Sequence, residues 1–134
     1  MSVVAAGVAP AIEQIHGLLD RYFDGLHRSD ADLLATVFHP EAVYATATDG
    51  ALMRLSMDEY LPIVAARESP ASRGELRTDA IESIELAGPV TALARVRCSI
   101  GPKHFTDFLS VVHVGGRWQI IAKVFHLDLV EPGA

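Results

Sequence analysis

The chain has 134 residues, half of them hydrophobic, and a formal net charge of −6. That length fits one domain with a buried core, and the apolar content excludes general disorder. The acidic balance argues against nucleic acid as a partner, the lone Cys98 excludes an internal disulfide or a cysteine metal cluster, and no apolar run reaches transmembrane length.

Residues 1–10 are small and apolar with no basic stretch, so they read as a flexible lead-in rather than a signal peptide, and a cytoplasmic location is the default. Residues 1–134 are expected to form a single domain, with its core over 11–128 and a tail over 129–134. Ile12, Ile15, Leu19, Tyr22, Phe23 and Leu26 recur at helical spacing and predict a helix over 11–28. Pro10 suits its entry and Gly25 weakens its end. After a break at Arg28, Ser29 and Asp30, a short helix carries Leu33, Leu34, Val37 and Phe38. It is expected to stop at His39 and Pro40, because the residue before proline avoids the helical region.

Residues 42–48 read as a strand, Asp49-Gly50 as a hairpin turn, and residues 51–55 as the returning strand. Ser56 with Glu59 three positions on makes a capping box for a third helix carrying Tyr60, Leu61, Ile63 and Val64, with Pro62 in its first turns. Residues 71–75 form a small-residue loop. Residues 77–86 and 90–100 read as strands, the second alternating Ala92, Ala94, Val96 and Cys98 against Thr91, Arg95, Arg97 and Ser99. Helices first and antiparallel strands after give an α+β class, a curved sheet wrapped around helices.

The longest signal is a hairpin over 105–126, turning at Gly115-Gly116, where glycine supplies the positive φ that a tight turn needs. A two-residue loop pairs Val114 with Arg117, and with unbroken register Phe108 faces Lys123 and Leu109 faces Ala122. One face then holds Thr106, Phe108, Ser110, Gln119, Ile121, Lys123 and Phe125. The other holds Asp107, Leu109, Val111, Trp118, Ile120, Val124 and His126. Both are mostly apolar, so one is expected to cover the core or a pocket and the other to meet a partner subunit.

No phosphate-binding glycine loop, G-x-S-x-G elbow or H-E-x-x-H motif is present, and the six histidines do not pair at metal-ligand spacing, so no metal and no cofactor are expected. The informative residues are polar groups inside apolar periodicity. Tyr22 lies on the buried helix stripe, either as a core tyrosine with a surface tip or with its hydroxyl partnered inside. Lys123, one of only two lysines, either snorkels to the sheet edge or stands as an amine in a pocket. Asp107 and His126 fall diagonally on the other face and read as a structural or interface pair. Cys98 reads as inert core, His39 as a helix end, and Arg95 and Arg97 as a solvated strand face or the rim of an anion site.

The stretches Phe38-His39-Pro40-Glu41-Ala42, Phe105-Thr106-Asp107-Phe108-Leu109-Ser110 and Gly116-Arg117-Trp118-Gln119-Ile120 through Lys123-Val124-Phe125-His126 resemble the nuclear transport factor 2-like superfamily, and within it the lumazine-binding-like group, over residues 11–128. The resemblance implies a cone: a strongly bent mixed sheet closing over helices, with a pocket at the open end and dimerisation through the outer sheet face. The superfamily includes ketosteroid isomerase, scytalone dehydratase, polyketide cyclases and non-catalytic binding proteins. By the resemblance, Tyr22 matches the isomerase's first-helix tyrosine, its general-base aspartate falls at Thr46, its oxyanion-hole acid at Phe108 and a further tyrosine near Val64. Without carboxylates at Thr46 and Phe108 the isomerase chemistry is not supported. The expected pocket is Tyr22, Phe38, Thr46, Tyr60, Phe108, Ile121, Lys123 and Phe125, and the expected homodimer interface is Leu109, Val111, Trp118, Ile120, Val124 and His126. The leading expectation is a small-molecule-binding protein with Tyr22 and Lys123 as polar handles. The alternatives are a proton-transfer enzyme (isomerase, dehydratase or cyclase) with Tyr22 as acid and Lys123 or a histidine as base, and a non-catalytic dimerisation module. No membrane partner is expected.

Overall fold

The amphipathic stripe of the N-terminal segment forms α1, Val3–Arg28, which buries Ile15, Leu18, Leu19, Tyr22, Phe23 and Leu26 along one side. The computed structural model describes residues 3–130. The helix therefore starts well before residue 11, and Pro10 lies inside it rather than at its entry. Of the expected tail over 129–134, residues 131–134 lie outside the described residues, and Leu129 belongs to the last strand.

α1 ends in a reversal in which the Asp30 amide donates to the Gly25 carbonyl at 2.9 Å and Ser29 takes φ +50°. Asp30 then caps α2, Ala31–Val37, accepting from the Leu33 amide at 3.0 Å. A Cβ on Gly25 would lie 2.6 Å from Leu34 Cδ2, so the absence of a side chain there lets α2 close against α1. The stripe does not carry α2 through Phe38. The chain extends at Phe38 and enters β1, Phe38–Thr46, so His39 and Pro40 belong to a strand and His39 Nδ1 accepts from the Glu41 amide at 3.0 Å. β2, Met53–Ser56, returns antiparallel to β1. Ser56 and Glu59 form the reciprocal capping box at the start of α3, Met57–Ala66. A short 3₁₀ turn over Ala71–Arg73 precedes β3, Ala80–Leu86, and β4, Thr91–Ile100.

β5, Lys103–Val114, and β6, Arg117–Leu129, are the long hairpin. Both glycines of its turn have positive φ, 60° and 83°. The six strands form a curved, unclosed mixed sheet in the order β2-β1-β6-β5-β4-β3, antiparallel throughout except for the parallel pairing of β1 with β6. The helices pack on the concave face. There Ala92, Ala94 and Val96 of β4 join Leu109 and Val111 of β5, and Trp118 and Ile120 of β6, in one apolar core with α1, α2 and α3.

The hairpin register departs from an unbroken ladder at one place. Val114 pairs with Arg117 and Val111 with Ile120, but Ser110 pairs with Ala122. Ile121 is the extra residue of a β-bulge. Beyond it Leu109, not Phe108, faces Lys123, and Phe108 faces Val124. The two expected faces are thereby exchanged along β5 and spliced in β6. Asp107, Leu109 and Val111 point inward with Trp118 and Ile120, and beyond the bulge Lys123 and Phe125 join them.

Candidate functional site

Three polar side chains meet in the interior of the curved sheet. Tyr22, on the buried stripe of α1, donates its hydroxyl to Asp107 Oδ2 at 2.5 Å. Lys123, carried inward by the bulge, places Nζ 3.8 Å from the same oxygen. Asp107 is 0 % exposed and Lys123 3 %, so this is an ion pair in a dry setting. Its second oxygen, Oδ1, is buried and has no hydrogen-bond partner among the described residues. The lysine head is ringed by aromatic faces. Its Nζ lies 5.4 Å from the ring centres of Tyr22 and Tyr44, 5.5 Å from Phe105 and 5.2 Å from Phe125. Such faces carry negative charge toward a cation and offset part of its desolvation.

Further rings support the cage. Phe38 packs edge-on against both Tyr22 and Tyr60, each at 6.0 Å, and Tyr44 stacks on Tyr60 at 4.3 Å. Tyr44 and Phe125 close over the lysine at 4.8 Å from one another. Thr46 donates its hydroxyl to the Phe125 carbonyl at 2.7 Å, which pins the end of β1 to β6.

The electrostatics fix two protonation states. Burial, reinforced by Asp107, holds the Tyr22 phenol well above its ordinary value, so it stays a donor. Burial pulls the Lys123 ammonium down, but the neighbouring Asp107 carboxylate, with smaller contributions from Tyr60, Cys98 and Tyr44, leaves it above the ordinary lysine value. Beside Asp107 the lysine is favoured as the charged ammonium, whereas a base needs the neutral amine. Burial pushes the Cys98 thiol up to about 12, which leaves it unreactive.

The expected site residues divide. Tyr22, Phe38, Thr46, Tyr60, Lys123 and Phe125 gather in or beside the cage, and Ile121 sits half-buried at the bulge. Phe108 does not join them: it is 47 % exposed on the outer face, beneath the Arg95 guanidinium at 5.5 Å. The residue that faces Tyr22 is Asp107, one position away, so a carboxylate does stand in the interior at this point of β5. Of the expected interface, Leu109, Val111, Trp118 and Ile120 are core residues covered by the helices and do not reach a partner. Val124 and His126 are outward, and His126 bonds Asp128 at 2.9 Å rather than Asp107.

The sequence reading missed Tyr44 and Phe105, whose roles depend on register and not on any local pattern. The interior around Lys123 is filled by rings. Among the described residues open clefts lie elsewhere, including one of about 270 Å³ along β1 and β2, one of about 330 Å³ between α1 and the β5–β6 turn, and one of about 420 Å³ beside the α1–α2 reversal. Among the described residues, no three His, Cys, Asp or Glu side chains come together as a metal site.

Comparison with known proteins bears on this arrangement. The profile of the family described as "Putative lumazine-binding" matches residues 10–126. Aldolase FrzH from a Cladobotryum species is 24% identical over 107 residues, which is 78% of this chain and 82% of that protein. An NTF-2-like protein of unknown function from Silicibacter pomeroyi superposes with a TM-score of 0.77 at 23% identity, over 90% of this chain and 98% of that one. A ketosteroid isomerase-like protein from Erwinia carotovora atroseptica does so with a TM-score of 0.67 at 11% identity, over 86% and 94%. These likenesses show a common fold.

Proposed function

The chain belongs to the family that bears that description, within the nuclear transport factor 2-like superfamily, and on that premise we propose that it binds a small, largely apolar molecule inside the curved sheet, at Tyr22, Asp107 and Lys123. The observation that carries the reading is the unpartnered Oδ1 of Asp107 beside a buried cation. A buried ion pair is a weak source of stability, and apolar side chains of similar volume serve a fold as well or better. An acceptor left without a donor costs further. A ligand that donates to Oδ1 and takes the face of Tyr44 or Phe125 would remove that cost. Tyr44 is half-buried and covers Lys123, so entry is through its displacement.

Native mass spectrometry of the freshly purified protein tests this. A retained small molecule is expected, and it should be lost in Lys123→Met. A bare chain that also gives no response to a panel of hydrophobic carbonyl compounds would refute the reading.

A second reading, proton transfer on a carbonyl compound, is favoured by the similarity to an aldolase and by the free oxygen of Asp107. In it, Asp107 Oδ1 takes a proton from carbon next to the carbonyl, the Lys123 cation holds the enolate oxygen, and the Tyr22 hydroxyl, donated to Oδ2, orients the carboxylate. Thr46 contributes no base, since it carries a hydroxyl already donated to Phe125. Asp107→Asn that keeps binding and loses turnover would distinguish enzyme from binder.

We also propose a homodimer through the outer sheet face. Phe108, Leu93 and Val124 are exposed there on three adjacent strands, and exposed large apolar side chains in one patch favour a partner.

A further inference from the structure

Arg67 follows the last turn of α3, its backbone amide donating to the Ile63 and Val64 carbonyls at 3.2 and 3.4 Å. A basic residue at a helix C-terminus is ordinary, and nothing in the sequence singles it out. Its side chain is not ordinary. Nε and Nη2 are both buried and have no hydrogen-bond partner among the described residues. Arg67 stands seven positions after Tyr60 and three after Val64, buried residues of α3, so it continues the inward side of that helix, the side whose Tyr60 ring stacks on Tyr44.

The identity of the two orphaned donors is informative. Nε–H and the adjacent Nη2–H form one edge of the guanidinium, the fork that meets both oxygens of a carboxylate with two parallel hydrogen bonds. A dry fork without an acceptor is costly, and an acceptor missing from the protein points to one supplied from outside. Lys123 does not compete for that acceptor, because Asp107 already neutralises it.

We infer that the ligand is a planar carboxylate, whose acid group docks on the Nε/Nη2 edge of Arg67 while its apolar body lies against Tyr44 and the cage beneath. The inference rests on the binding reading above and adds the chemical class of the ligand and the residue that selects it.

Calorimetric titration of the full chain with 6-hydroxy-2-naphthoate and with its methyl ester tests it, the ring hydroxyl of each supplying the donor for Asp107 Oδ1. The wild type should bind the acid roughly tenfold or more tightly than the ester, the difference expected when a charge-assisted pair is lost. Arg67→Gln should erase that preference while keeping ester binding. Arg67→Lys should restore only part of it, since an ammonium offers no fork. No preference for the acid in the wild type, or a preference that survives Arg67→Gln, overturns the inference and leaves the binding reading intact. Binding of neither compound, in the wild type and in Tyr44→Ala, overturns both. Thermal melts of ligand-free Arg67→Met give a second readout. A Tm equal to or above wild type is expected, because two stranded donors are removed; a fall of several degrees would show that the guanidinium serves the fold instead.

Discussion

The Tyr22 hydroxyl on α1 and the Asp107 carboxylate on β5, 85 positions apart in the chain, meet at 2.5 Å in the interior. The bond fastens the first helix to the centre of the sheet and directs one oxygen of Asp107, leaving the other free. Tyr22→Phe keeps the ring packing and removes only this donor. It should lower stability by about 1.5–3 kcal/mol, the worth of a hydrogen bond to a charged group. Urea denaturation with an unchanged m-value is the measurement; a loss below about 0.5 kcal/mol, the scale of an ordinary surface change, would mean the contact is idle.

Lys123 and Asp107 should behave as a unit. Lys123→Met leaves an uncompensated buried carboxylate and Asp107→Leu leaves an uncompensated cation, so each is expected to cost about 3–5 kcal/mol. The double variant should recover most of that loss. A double-mutant cycle checks it, and additive single costs would show that the two charges do not interact across their 3.8 Å.

Alkaline pH separates the folded and unfolded states by the same groups. Folded Tyr22 and Lys123 titrate above their ordinary values of 10.0 and 10.5. Above those values the unfolded chain releases these protons first and so binds fewer than the folded one, and stability falls as pH rises. Below them the contribution is fully present. Melting temperature should therefore hold near neutrality and drop on passing above pH 10, and Tyr22→Phe/Lys123→Met should flatten the drop. An alkaline slope identical in the variant would assign the effect to other groups.

Much of this architecture is legible in the chain, and the misreadings that bear on the site share one cause. The stripe of α1, the Ser56–Glu59 capping box, the glycine turn and the inward run Ala92, Ala94, Val96 are all local patterns, and local patterns survive into the fold. What is not local went unread. The parallel pairing of Tyr44 with Lys123 joins segments far apart in sequence. The bulge at Ile121 lies in a run of apolar residues with no glycine to mark it, so an unbroken ladder assigned Asp107 outward and Phe108 inward. Phe38 continues the apolar spacing of α2, yet opens β1, because its ring is needed between Tyr22 and Tyr60.

Ser29 holds a left-handed conformation at φ +50°, and its Oγ is buried without a hydrogen-bond partner among the described residues. Ser29→Gly removes both costs. A gain of about 1 kcal/mol is expected from the backbone alone, seen as a rise in Tm of a few degrees. A fall in Tm would mean that the serine caps or packs in a way its geometry does not indicate.

Phe108→Glu puts a charge at the centre of the outer apolar patch, where the wild-type ring is 47 % exposed. Sedimentation velocity should find the wild type dimeric and the variant monomeric with its Tm little changed. A wild type that sediments as a monomer at high concentration would remove the proposed interface.

The single surplus residue at Ile121 makes the interior depend on how one strand is laid down as well as on what it contains. Were Ile121 drawn into an unbroken ladder, Ala122 would face Leu109, Lys123 would turn outward opposite Phe108, and Val124 would take its place inside opposite Asp107. Asp107 would then be stranded with no cation to answer it, although no residue had changed. Deleting Ile121 removes the surplus residue and keeps the pairs Ser110–Ala122 and Leu109–Lys123, so the cation stays inside. Among homologues, a one-residue gap at this position is therefore compatible with the same interior, a distinction that percentage identity does not record.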